Sequence, residues 1–131
     1  MIEKLNELLK RSYAPYSKVN VAAIVITNNN HAFSGVNIEN ASYGGTICAE
    51  RVAITKAVSE GYKEFKEIHI LSNLDHKTMP CFLCRQTFTE FFDEKTKVYI
   101  YDLKGNFEIY KLNELCPLPF NNEDLKWKVV L

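Results

Sequence analysis

Two short stretches, Ile47-Cys48-Ala49-Glu50-Arg51 and Pro80-Cys81-Phe82-Leu83-Cys84-Arg85, decide how the rest of the sequence is read. Each predicts the start of a helix. After Cys48, the residues Ala49, Val52, Ala53, Lys56 and Ala57 recur at helical spacing until Gly61. Pro80 suits a first helical turn, where its missing N–H would have had no partner. Residues three apart share a helical face, so the Cys81 and Cys84 sulfurs can address one ion. The dipole at a helix N-terminus favours the thiolate form that a metal requires. Three soft thiolates suit Zn²⁺, and three protein ligands leave a fourth position open for chemistry. Cys116 stands apart and reads as a packed free thiol.

Glu50 follows Cys48 by two positions, a shift that points it away from direct ligation. It is the candidate acid/base, because hydrolysis at an activated water needs a group that takes a proton and returns it. Of the three arginines, two adjoin the cysteine motifs: Arg51 and Arg85. Three thiolates on a dication leave net negative charge, and guanidinium donors to sulfur withdraw it. Arg51 is expected in that role. For Arg85, that role and an ordinary surface position stand equal.

Outward from these motifs, Ile2, Leu5, Leu8 and Leu9 predict an amphipathic helix over 2–12, stopped by Ala14-Pro15. Residues 19–27 and 31–36 predict a hairpin around Asn28-Asn29-Asn30. An ordered loop over 37–46 leads to a helix over 47–59, a strand over 67–72, a loop over 73–80 and a helix over about 81–92. A second hairpin is predicted from strands 97–102 and 107–112 around Leu103-Lys104-Gly105-Asn106. Residues 116–120 are too proline-rich for regular structure, and Asn122–Trp127 predicts one helical turn. Strands separated by helices need crossovers. The expected fold is α/β, a three-layer α-β-α arrangement with one mixed five-stranded sheet, in a single domain over 1–131.

Composition narrows the function classes. The 131 residues are 47% hydrophobic and 24% charged, which excludes wholesale disorder. Sixteen basic side chains balance sixteen acidic ones, so no basic surface for long nucleic acid is expected. The longest apolar run, Val21–Ile26, falls far short of the ~20 residues that span a bilayer, so no membrane is expected either. The start, Met1-Ile2-Glu3-Lys4-Leu5, lacks the apolar region of a signal peptide, and a cytoplasmic location is expected. In a reducing compartment the cysteine pattern favours metal binding or thiol catalysis over disulfides. A thiol–disulfide exchanger using Cys81 and Cys84 would leave Cys48 and Glu50 unexplained. A catalytically silent zinc protein remains the other alternative.

Cys48-Ala49-Glu50 with Pro80-Cys81-x-x-Cys84 resembles the zinc nucleoside and nucleotide deaminase signature. The flanks Tyr13-Ala14-Pro15-Tyr16-Ser17, Asn37-Ile38-Glu39-Asn40, Cys84-Arg85-Gln86 and Leu118-Pro119-Phe120 make the chain similar to the small homotetrameric cytidine deaminases. The resemblance implies hydrolytic deamination of cytidine and 2′-deoxycytidine in pyrimidine salvage, with one zinc per subunit. It implies Cys48, Cys81 and Cys84 as ligands and Glu50 as proton shuttle. It further implies that Asn37 and Glu39 hold the ribose, chiefly its 3′-hydroxyl, and that Ala49 borders the substrate. Val19 stands where the family has an aromatic residue against the pyrimidine, so an aliphatic contact is expected there. Phe120 is the tail aromatic that would reach a neighbouring chain, in a tetramer with shared active sites. Between the paired cysteines the family has small residues, whereas this chain has Phe82-Leu83.

Overall fold

The run Val21–Ile26 has no polar face, and the structure, a computed structural model described over residues 1–130, buries both of its sides in a sheet. β1 (Val21–Thr27) pairs antiparallel with β2 (Ala32–Val36) across a turn in which Asn30 adopts φ 68°, a left-handed conformation that asparagine tolerates. β1 also pairs antiparallel with β3 (Phe65–Ser72), and β3 runs parallel to β4 (Lys97–Tyr101). β5 (Phe107–Tyr110) folds back on β4, giving the order β2-β1-β3-β4-β5. The parallel step needs a crossover, and α3 (Phe82–Phe91) supplies it. α2 (Ala49–Ser59) links β2 to β3.

The period-two alternation of the strands sorts the core onto two faces. Ala23 and Val25 of β1 and Ile68 and Ile70 of β3 meet Ala53, Ile54 and Ala57 of α2 and Phe88 of α3. Ala22, Ile24, Leu71 and Tyr101 meet Leu5 and Leu9 of α1 (Ile2–Leu9) on the opposite face. The three-layer α-β-α expectation holds.

Local boundaries differ in instructive ways. α1 stops at Leu9, short of residue 12. A helix was not foreseen at α4 (Leu112–Leu115), where β5 was expected to continue to residue 112. The Glu114 carboxylate accepts from the Lys111 backbone N–H at 2.9 Å while the Glu114 N–H donates to the Lys111 carbonyl at 3.1 Å, and this pair of bonds starts a helical turn in place of further strand. The turn expected over Asn122–Trp127 is a 3₁₀ turn over Asn122–Lys126, with the Asn121 side chain accepting from the Glu123 N–H at 3.0 Å.

Candidate active site

α2 and α3 both begin at one place, and their caps and first turns carry the sulfurs. Cys48 caps α2 and Cys81 caps α3, each with extended backbone and neither side chain spent on a cap hydrogen bond. Cys84, on the first turn of α3, is fully buried. The three sulfurs lie within 4.8 Å of one another, and Cys48 Sγ is 3.7 Å from Cys81 Sγ. Two ligands about 2.3 Å from one tetrahedral zinc lie ~3.8 Å apart, so this donor set fits that ion. A third convergent sulfur is also more than dithiol exchange requires.

Electrostatics point the same way. The Cys84 thiol donates to Cys48, which, aided by Arg51, pulls Cys48 down to about 5. That same bond, with burial, holds Cys84 protonated well above the usual thiol range. Sulfurs this close share protons unless a cation takes their place. Arg51 stands beside them: its Nη2 donates to the Thr46 carbonyl at 3.3 Å and lies 4.0 Å from Cys48 Sγ. Its Nε is buried with no hydrogen-bond partner among the described residues. Arg85 resolves to neither expected role. Its Nε holds the Pro80 carbonyl at 2.8 Å and its Nη1 the Leu115 carbonyl at 2.9 Å, with the guanidinium over the Phe82 ring. It braces the turn that carries Cys81 and touches no sulfur.

A cleft of about 190 Å³ opens on Cys48 and Cys81. Glu50 and Ala49 of α2 line it together with Asn37, while Val21, Ile70 and Met79 give it an apolar side and Thr46 and Thr78 a polar one. Glu50 is buried, and burial pushes its carboxyl up to about 7. Thr46 also borders a second hollow of about 310 Å³, lined by Tyr16, Ser17, Glu39, Asn40 and Tyr43.

Two polar side chains, Asn37 on the small cleft and Glu39 on the second hollow, have most of their hydrogen bonds committed. Asn37 Oδ1 accepts from the Val21 N–H at 2.9 Å and from the Ser12 hydroxyl, and Nδ2 donates to the Val19 carbonyl at 2.8 Å. An amide has two donors and two acceptor sites, so one N–H is left. Glu39 Oε1 accepts from the Tyr16 and Ser17 N–H groups at 3.0 and 3.2 Å, and Oε2 from the Ser17 hydroxyl. These bonds, that of the Ser17 hydroxyl first, hold Glu39 below the usual carboxylate range.

Other residues singled out in the sequence lie outside the wall of the small cleft. Val19 is absent from the wall of the small cleft, and Val21 is on it, because Val21 opens β1 while Val19 gives its carbonyl to Asn37. Phe82 and Leu83 are 73% and 58% exposed and leave the cleft unobstructed. Phe120 is exposed, with its carbonyl held by Gln86 Nε2 at 2.7 Å. Thr46, Thr78, Met79 and Ile70 were not foreseen, since nothing in such residue types signals a wall before the fold brings them together.

Three convergent thiols beside a buried carboxyl, opening on a cleft of small-molecule size, define a zinc-dependent hydrolytic site. Residues 1–100 match the model of the cytidine and deoxycytidylate deaminase zinc-binding region, and the chain belongs to that family. It is 36% identical over 127 residues to the cytidine deaminase of Sporosarcina psychrophila, covering 97% of this chain and 93% of the relative. It is 45% identical over 115 residues to a probable cytidine deaminase of Dictyostelium discoideum, covering 87% and 77%. The crystal structure of cytidine deaminase from Burkholderia pseudomallei superposes with TM-score 0.85 at 35% identity, covering 91% of this chain and 95% of that one.

Proposed function

We propose that the chain hydrolyses cytidine and 2′-deoxycytidine to uridine and 2′-deoxyuridine with release of ammonia, a step of pyrimidine salvage. The observation that carries this reading is the meeting of Cys48, Cys81, Cys84 and Glu50 in one cleft. The three cysteines would hold one zinc per chain. Zinc in such a site supplies a Lewis acid that makes water a nucleophile at neutral pH.

The chain's own residues do the rest. Glu50 takes a proton from the attacking water and delivers it to N3 of the base as oxygen adds to C4. It then carries the second proton to the departing amine as the C4–N bond breaks, which balances water consumed against ammonia released. Its burial beside the sulfurs keeps bulk water from competing for those protons. Ala49 borders the base at the start of α2, and Val21 with Ile70 covers it with aliphatic surface. Val19, two residues before Val21, would add a further aliphatic contact. Arg51 offsets thiolate charge from beside Cys48.

The sugar is read by complementarity. One N–H remains on Asn37 and one acceptor site on Glu39, and a single hydroxyl both accepts and donates. A 3′-hydroxyl is common to both nucleosides, hence both as substrates. No Lys or Arg lines either hollow, so a 5′-phosphate finds no cationic partner there.

We further propose a single-domain cytoplasmic enzyme that works as a homotetramer with shared active sites. The exposed Phe120, its backbone pinned by Gln86 and stiffened by Pro117 and Pro119, would reach a neighbouring chain. No helix among the described residues is long and apolar enough to cross a membrane. Zinc stoichiometry together with ammonia release from cytidine, deoxycytidine and their 5′-phosphates tests the reading. One zinc per chain and turnover of both nucleosides are expected; no ammonia from any of them would contradict it.

A further inference from the structure

Cys48 and Glu50 ride on α2, whereas Cys81 and Cys84 ride on α3, so the sulfurs converge only if α2 lies at the right height above the sheet. The structure shows what sets that height. Gly35 of β2 lies under the first turn of α2, pairing with Ala23 of β1. A Cβ at Gly35 would stand 2.4 Å from the Ala49 carbonyl oxygen, 2.5 Å from the Ala53 nitrogen and 3.1 Å from the Ala53 Cα. All three are backbone atoms of α2, so no side-chain rotation relieves the clash; strand and helix must part. Ala49 lies between Cys48 and Glu50, so the atom closest to the missing Cβ belongs to the residue that joins ligand to proton carrier. Gly35 lies outside the left-handed region that only glycine favours, which leaves this close approach as the reason for it.

We propose that Gly35 is a positioning residue for the metal site, setting the separation of Cys48 from Cys81 and Cys84 through the seam between β2 and α2. It rests on the reading of the three cysteines as zinc ligands. Any side chain here lifts the start of α2 from the sheet and draws Cys48 away from the pair on α3. Ala53, fully buried on the helix side of the same seam, offers a milder way to widen it.

The test compares Gly35→Ala and Ala53→Ser with Ile54→Val, which thins the same helix's buried face without forcing the seam apart. Each zinc-loaded protein is challenged with a chromogenic chelator, its Tm is measured, and the thiolate-to-metal absorption of its cobalt form is recorded. Gly35→Ala should lose zinc about 10–100-fold faster than wild type, the range typical of disturbed ligand support, and shift the cobalt band. Ala53→Ser should move both readouts the same way but less, and Ile54→Val should move neither beyond its loss of Tm. Should Gly35→Ala yield no folded protein, Ala53→Ser against Ile54→Val decides. Wild-type zinc retention and an unshifted cobalt band in the seam variants would overturn the assignment, as would equal zinc loss from Ile54→Val at matched Tm. A wild-type protein that binds no zinc would instead overturn the underlying reading of the cysteines, and this one with it.

Discussion

The two faces of the sheet are built for different ends. On one, α2 and α3 pack Ala53, Ile54, Ala57 and Phe88 against β1 and β3, and their N-termini gather the sulfurs and Glu50. On the other, Leu5 and Leu9 of α1 cover Ala22, Ile24 and Leu71, and beyond them lies an aromatic group of His69, Tyr99, Tyr101 and Phe107. The first face places chemistry by backbone contact between helix and strand. The second supplies stability, through buried area and the hydrogen bonds of His69. A residue that moves the metal or Glu50 therefore acts through α2 or α3, and damage to the α1 face should lower stability without changing what the folded site does.

The sharpest break between the faces lies in the ligands. Cys48→Ala, Cys81→Ala and Cys84→Ala should each abolish stoichiometric zinc and nearly all activity, since two thiolates remain where three are needed. Cys116→Ala should keep both. Equal zinc loss from Cys116→Ala, measured by metal analysis, would mean that the fourth position is filled by protein.

Core truncations on the two faces come next. Phe88→Ala on the site face is expected to cost about 3–5 kcal/mol, and Leu5→Ala on the α1 face about 2–5 kcal/mol, read from urea unfolding. Stability alone does not separate them. At a temperature where both remain folded, Leu5→Ala should keep the zinc retention and kcat of wild type, while Phe88→Ala, in the helix that carries Cys84, should lose zinc faster. The reverse pattern would undo the division between the faces.

A smaller effect is expected at the sugar. Glu39→Gln keeps shape but replaces half of an acceptor pair with a donor, against the Ser17 hydroxyl and two N–H groups. KM for cytidine should rise about tenfold with kcat little changed, the signature of lost uniform binding. A fall in kcat at constant KM would move Glu39 from the sugar to the chemistry.

The smallest expected effect comes from the α1 face and depends on pH. His69 Nε2 donates to Glu67 at 3.1 Å and Nδ1 accepts from the Tyr101 hydroxyl at 2.8 Å, a pairing that uses the neutral ring. Burial holds its pKa below the usual histidine value. The unfolded chain then binds the extra proton first. Stability should be level above about pH 6.5 and decline as pH falls toward the depressed folded value. Urea midpoints at pH 7.5 and 5.5 should show a larger acid loss for wild type than for His69→Gln, while the site's zinc content is the same in both.

Which parts of this were legible in the sequence follows from how local each signal is. The helix starts at Cys48 and Cys81, and the i, i+3 relation of Cys81 and Cys84, are written in a few adjacent residues and emerged as expected. The strand runs and their hairpin turns were equally local. α4 was not readable, because what starts it is the reach of Glu114 back to the Lys111 N–H, a contact between side chain and backbone inside an otherwise strand-like stretch. That Val21 lines the small cleft was not readable either, because it depends on Asn37, just past the end of the neighbouring strand β2, capturing the Val19 carbonyl. Gly35 carried one available clue, a lone glycine inside a strand, which signals close approach of another backbone. What approaches it could be known only once α2 was in place.

Glu50 is expected to move the protons in a site whose metal its neighbours would hold. The most direct measurement is turnover of cytidine by Glu50→Gln with its zinc content determined on the same sample. Glutamine preserves size and burial but cannot carry a proton, so zinc should remain stoichiometric while kcat falls about 10²–10⁴-fold. A zinc-replete Glu50→Gln protein that releases ammonia at the wild-type rate would show that Glu50 does not carry the protons.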